Sequence, residues 1–273
     1  MDDVWAWAPH AVVVASPSHL HLAQALDAAR RGCHLFIEKP LGNSLDGVPD
    51  LLALVAERQL VTMVGCNMRF HPGPATVKRL LDDGAIGPPL FGRLQTSSYL
   101  PDWRPGTDYR QSYSASVETG GGAILDCIHE LDLAIWFFGR ATLESAAIVS
   151  AASLGISTEG LAELLLRHES GVLSSVHLSY MQRDYRRGCQ VVGETGTLYW
   201  DFASPEVRIE RGTATSVEAL PADWQVNQMY VDELSHFVRA VIGRTATTCP
   251  VTTGADVLGL ALGARSASLA GAR

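Results

Sequence analysis

Three short apolar runs near the start of the chain, residues 11–15 (AVVVA), 34–37 (HLFI) and 61–65 (VTMVG), are separated by two stretches of helical character. Continuous runs of β-branched and aliphatic residues at this length suit strands buried on both faces. Ser16-Pro17-Ser18 breaks the first run, and Ser18 is placed to cap a helix over residues 19–31 that Gly32 ends. A second helix is expected over about residues 44–58, where Leu51, Leu52, Leu54 and Val55 are apolar. Strand, helix, strand, helix, strand with short connections leaves little choice: a parallel, doubly wound sheet with right-handed crossovers. Ligands of such sheets bind beyond the carboxyl ends of the strands. Three polar clusters fall there: Ser16-Pro17-Ser18, Glu38-Lys39-Pro40 and Cys66-Asn67-Met68-Arg69.

The pattern changes after Phe70. A helix over residues 71–83 and a strand over 90–100 lead into a polar, aromatic-rich loop, residues 101–116 (PDWRPGTDYRQSYSAS). Alternating or β-branched runs follow at 143–152, 161–168, 172–181, 188–192, 197–202 and 207–210, with tight turns such as Glu169-Ser170-Gly171. Strand after strand with short turns means a large, mostly antiparallel sheet. Helices over about 226–242 and 254–269 close the chain. The plan is α/β first and α+β second, changing near residues 66–70.

With 273 residues, 47% of them hydrophobic, the chain can bury a sizeable core. A net charge of −8 without any basic block argues against nucleic acid or an anionic membrane as the partner. Five scattered cysteines, none in C-x-x-C spacing, suit a reducing cytoplasm and imply neither a disulfide framework nor a metal site. They read as core or surface thiols, and His168, His177 and His236 read as surface residues.

The chemistry-bearing stretch is residues 119–139, TGGGAILDCIHELDLAIWFFG. Ile124, Ile128, Leu131 and Ile135 form one helical stripe, and Gly139 ends the helix. Asp126, His129 and Glu130 lie off that stripe, and Asp126 and His129, three apart, share a face. A carboxylate beside an imidazole can serve as an acid/base pair or as a polar pair on a core helix.

The run SPSHLHLAQALDAARRGCHLFIEKPL, then GCNMRFHPG, then GGGAILDCIHELD, resembles the glucose–fructose oxidoreductase / inositol dehydrogenase (Gfo/Idh/MocA) family, in register over essentially the whole chain. The loop SYLPDWRPGTDYRQSYSA with DCIHELD is similar to a branch associated with nucleotide-sugar and surface-polysaccharide metabolism. The resemblance implies an oxidoreductase using NAD or NADP at a hydroxyl of a sugar, nucleotide sugar or cyclitol. It implies Lys39, Asp126 and His129 as catalytic residues, and Ser16, Pro17, His21, Glu38, Lys39, Pro40, Asn67 and Arg69 on the cofactor side. Lys39, Asp126 and His129 also touch substrate in this reading, and Trp103, Arg104 and Tyr109 line the sugar pocket. A homo-oligomer formed through the open sheet is expected.

Two departures accompany the resemblance. In many relatives the histidine follows the aspartate by four residues; here it follows by three, and Glu130 takes the fourth place. The family's opening strand and G-x-G-x-x-G turn are not represented in the sequence either. On this reading residues 1–68 are the later part of a Rossmann-type domain, an incomplete parallel sheet, with roughly sixty residues of βα units before it. Residues 69–273 form the substrate-binding and oligomerisation domain, with the last helix packing back on the first. The alternative to an enzyme is a non-catalytic, self-associating chain without dinucleotide binding. Dinucleotide sites hold the pyrophosphate on backbone N–H groups after a glycine-rich turn. Calorimetry with NADH and NADPH on the 273-residue chain is therefore expected to show no binding in the micromolar range; micromolar binding would place the phosphates on another surface.

Overall fold

The structure, a computed structural model, describes residues 2–271. A short helix α1 (Asp2–Trp5) precedes β1 (Ala11–Val14), α2 (His21–Arg30), β2 (His34–Glu38), α3 (Val48–Glu57) and β3 (Thr62–Gly65). The three strands form a parallel sheet in the order β1-β2-β3, with Val13 beside Phe36 and Phe36 beside Met63. Leu35 and Ile37 turn to the α2 and α3 side, where Ala25, Ala28 and Leu51 are wholly buried. Phe36 and Met63 turn the other way, against Phe237 and Ala240. Successive residues of β2 are thus buried on opposite faces, as in a parallel strand covered by helices on both sides. β1 is different from expectation: Val13 is 54% exposed, because the cluster under the covering helix centres on Phe36 and Met63 and takes in Ala11 of β1 but not Val13.

A 3₁₀ turn (Asn67–Phe70) leads to α4 (Pro72–Asp82) and β4 (Pro89–Tyr99). A loop with three further 3₁₀ turns runs into α5 (Ala123–Asp126) and α6 (His129–Phe138). Then come β5 (Ala141–Ser150), β6 (Glu159–His168), β7 (Leu173–Ser179), β8 (Met181–Gly193), β9 (Thr197–Asp201), β10 (Glu206–Arg211), β11 (Ala214–Ala219), α7 (Asn227–Gly243) and α8 (Val251–Gly271). The eight strands pair in the order β11-β10-β9-β8-β4-β7-β6-β5, with β4 and β7 parallel and every other pair antiparallel. Helices α4, α5, α6 and α8 cover one face of this sheet. Polar cross-strand pairs such as His177–Glu163 and Arg93–Gln190 occupy the other. α8 also touches β3, where the Val251 N–H donates to Thr62 Oγ1 and the Val64 N–H to the Cys249 carbonyl. No helix among the described residues is long and apolar enough to cross a membrane.

Several local expectations change. Ser18 caps nothing: its hydroxyl donates to the Thr119 carbonyl, and α2 starts at His21 after a 3₁₀ turn. The helix read over 122–139 is two helices, broken at Cys127 and Ile128. α6 has no polar side: Glu130 and Asp132 are buried with its apolar residues. His168 is a core residue, 2% exposed, with its ring between the Gly139 carbonyl and Ser174 Oγ. All five cysteines are buried and free.

His71 precedes α4 and caps it, its Nδ1 accepting the Gly73 N–H at 3.0 Å. The ring is enclosed by Trp200, Phe202 and Trp224, and burial, aided by Arg187, pushes its pKa down to about 4. An unfolded chain takes this proton near pH 6.5, the folded one only near 4. Stability therefore falls as pH drops from 6.5 toward 4, by about 3 kcal/mol from this group. His71→Asn keeps a capping side chain without the titration. Its urea midpoint should change less between pH 7 and 5 than that of the wild type; an equal change would remove His71 from the acid limb.

Candidate functional site

The loops at the carboxyl ends of β1, β2 and β3 lie side by side. His21, the first residue of α2, is 1% exposed and joins two of them, with Nδ1 at 2.8 Å from the Pro40 carbonyl and Nε2 at 2.7 Å from the Ser16 carbonyl. Ser16 Oγ donates to Gln24, and Pro17 opens the following 3₁₀ turn. The Lys39–Pro40 bond is cis. Burial pushes the Glu38 carboxyl up, with Lys39 partly opposing it, and its Oε2 would lie 3.1 Å from a Cβ on Gly65. Asn67 is buried at the end of β3. These are cofactor-side positions of the sequence reading, gathered at one end of the sheet.

Arg69 is placed otherwise. Its guanidinium grips both oxygens of Asp132 on α6, at 2.8 and 2.6 Å, and donates to the Thr248 carbonyl. Its side chain is 3% exposed, so it is committed to an internal ion pair and not to the crevice. Cys66, Asp132 and Cys249 hold three possible metal-ligand atoms within 4.8 Å of one another. Arg69 already fills both carboxylate oxygens there with a fixed positive charge, and a hydrogen bond with Cys249 and burial keep the Cys66 thiol protonated.

The glycine turn brings the second half of the site against the first. Gly122 has φ +107°, and a Cβ there would run into Glu159 and Arg265. The chain enters α5 through this position, and Asn43 Nδ2 and Ser18 Oγ hold the preceding carbonyls of Glu118 and Thr119. α5 then ends at Asp126, and a carbonyl at a helix end lacks an intrahelical partner. Lys39 Nζ supplies one, donating to the Asp126 carbonyl at 2.8 Å. The Asp126 carboxylate accepts the Tyr180 hydroxyl at 2.5 Å. Tyr180 is wholly buried, edge-on to Trp103, and burial beside Asp126 holds its hydroxyl protonated as a donor.

His129 begins α6 beside this group. Its Nδ1 is buried without a hydrogen-bond partner. Burial lowers its pKa well below the ordinary 6.5, and the cations Lys39 and Arg187 push the same way. The ring is therefore neutral at neutral pH. Glu130 is not an alternative base: Arg187 of β8 binds both its oxygens, at 2.6 and 3.1 Å. Asp126 and His129 open on a cleft of 410 Å³ whose walls include Tyr99, Trp103, Arg183 and Tyr185. Of the loop residues expected to face sugar, only Trp103 lines this cleft. Arg104 and Tyr109 border a separate small recess, with the Tyr109 hydroxyl spent on the Leu154 carbonyl.

Tyr180, Arg183 and Arg187 were not singled out from sequence. Tyr180 joins β7 to β8, and Arg183 and Arg187 belong to the polar first half of β8, which shows no alternation.

Residues 1–66 match the model of an oxidoreductase family with an NAD-binding Rossmann fold, and residues 75–199 match the GFO/IDH/MocA C-terminal domain. The chain is 32% identical over 239 residues to dTDP-3,4-didehydro-2,6-dideoxy-alpha-D-glucose 3-reductase of Streptomyces antibioticus, covering 85% of this chain and 69% of that one. The chain belongs to the Gfo/Idh/MocA oxidoreductase family. Inositol 2-dehydrogenase of Burkholderia vietnamiensis is 31% identical over 248 residues, 88% of this chain and 69% of that protein. D-apiose dehydrogenase of Paraburkholderia graminis is 33% identical over 219 residues, and the chain spans 55% of its length. Levoglucosan dehydrogenase in complex with NADH and levoglucosan superposes with a TM-score of 0.87 at 20% identity, over 96% of this chain and 79% of that one. The family model over residues 1–66 describes an NAD-binding domain, so the cofactor of the Gfo/Idh/MocA family is a nicotinamide dinucleotide.

Lys39 is close enough to His129 for its charge to act on the ring, and buried Asn67 lies at the same end of the sheet. The electrostatics give a direct check. Ring-proton NMR should show His129 titrating below 6.5, and Lys39→Met, by removing a nearby cation, should raise that midpoint. A wild-type midpoint at or above 6.5 contradicts the neutral-imidazole site.

Proposed function

We propose that this chain serves hydride exchange with NAD or NADP at a hydroxyl-bearing carbon of a sugar, sugar derivative or cyclitol. The observation that carries the reading is the cluster of Lys39, Asp126, Tyr180 and a neutral His129, of which Asp126 and His129 line one cleft. The bound nicotinamide supplies or accepts the hydride. The chain's own residues handle the proton and the position of the hydroxyl.

His129 is the acid/base. Oxidising an alcohol requires removing its hydroxyl proton, and a neutral imidazole is the form that accepts it. A ring held neutral by burial and by two cations keeps this form well into the acid range. Lys39 stabilises negative charge developing on the substrate oxygen, because its ammonium is fixed to the Asp126 carbonyl and cannot swing away. Asp126 accepts substrate hydroxyls while Tyr180 fixes its orientation. Trp103 offers an aromatic face to the ring of the substrate, among polar groups such as Asp126 and His129 that can orient it. The sugar and cyclitol activities of the relatives support this class and leave the individual substrate open.

In a preparation that turns over, His129→Ala and Lys39→Ala should each lower the turnover number by about 10²–10⁴-fold with little effect on cofactor affinity. Nicotinamide absorbance with a panel of aldoses, cyclitols and nucleotide sugars reads both quantities. Near-wild-type turnover in His129→Ala removes it as the base.

A further inference from the structure

We propose that the cleft contains an anion subsite built on Arg183, and that the substrate is a sugar carrying a phosphate or carboxylate substituent. The proposal rests on the reading of the cleft as the substrate site. The cleft has two arginines in its walls, and they differ in kind. Arg187 is committed to Glu130 by two hydrogen bonds. Arg183 has no carboxylate within ion-pair distance among the described residues, although Asp184 follows it, because Asp184 is bound to Arg186.

Arg183 is also held in place. Its guanidinium carbon lies 3.7 Å from the centroid of the Tyr99 ring, a stacking distance. Stacking uses the flat face of the guanidinium and leaves its N–H edge free, and that edge matches the paired oxygens of a phosphate or carboxylate. Trp103, on the same cleft, donates its Nε1 to Ser98 and presents its ring as an apolar surface. A sugar ring on Trp103 with its reacting hydroxyl at His129 therefore has a cation in the same cleft for a charged substituent. Two carboxylates, Asp102 and Asp126, also line the cleft; Asp126 is bound to Tyr180, whereas Asp102 is exposed, without an ion-pair partner among the described residues, and opposes an anion there.

The two side chains predict opposite changes. Calorimetric titration of the full chain with glucose, glucose 6-phosphate and glucuronate, without cofactor, measures the subsite alone. The charged sugars should bind more tightly than glucose. Arg183→Gln should weaken the charged sugars by about tenfold and leave glucose unaffected, Arg183→Lys should restore part of the loss, and Asp102→Asn should tighten them. No preference for either charged sugar, or a preference that survives Arg183→Gln, overturns the proposal. Preference for the phosphate over the carboxylate, or the reverse, identifies which anion the guanidinium reads. Turnover with NAD or NADP is measured separately, so a chain that binds charged sugars without oxidising them would fail the proposed activity and keep the subsite.

Discussion

The buried ion pair between Arg69 and Asp132 is the contact on which the site's geometry depends. Arg69 sits in the turn that ends the parallel sheet, and Asp132 lies one helical turn past His129. The pair fixes the strand ends against α6, and the further bond to Thr248 adds the segment that enters α8. Both side chains are almost completely out of water, so removing one leaves an uncompensated charge, a loss of about 3–5 kcal/mol. Because the pair is bidentate, it fixes orientation as well as distance. Lys39 can reach the Asp126 carbonyl only if the sheet and the α5–α6 break hold this relation.

Electrostatics then follow from placement. α6 buries two carboxylates, Glu130 and Asp132, and each has its own arginine from a different element. With those charges neutralised in pairs, the groups left to act on His129 are desolvation and the ammonium of Lys39, with Arg187 contributing from its pair. All favour the neutral ring. The same logic separates Glu130 from catalysis: a carboxylate bound at both oxygens has nothing left to offer a substrate proton.

The parallel sheet was legible in the sequence because its signals are local. Apolar runs of strand length, a stopping residue at Gly32 with φ +81°, and short connections leave one topology. The catalytic stretch was legible as chemistry but not as geometry. The apolar stripe from Ile124 to Ile135 runs straight through the break at Cys127, so periodicity alone describes one helix where two exist. Glu130 falls off the apolar stripe, yet it is buried together with Asp132; the arginines that pair with them lie 57 and 63 residues away. His168 was misread for a similar reason, since its two partners come from a helix end and a neighbouring strand. β11 has almost every residue exposed and gives no alternation to read.

β8 shows why the substrate side was the least legible part. Its 13 residues do two jobs. From Arg186 to Val192 it pairs with β4 in unbroken register, and a Cβ on Gly188 would come within 2.4 Å of the Trp200 carbonyl, so the sheet dictates that half. Between Tyr99 and Ser97 the register with β4 shifts, and residues 182–185 stand away from the ladder as cleft wall. They carry no periodic pattern because they are mostly exposed and no core imposes one. Substitutions there can alter what the cleft accepts while the acid/base group, fixed by α5, α6 and Lys39, stays unchanged. One scaffold can thus keep its proton chemistry while its sugar changes, and the physical reason is that the two functions are anchored to different elements.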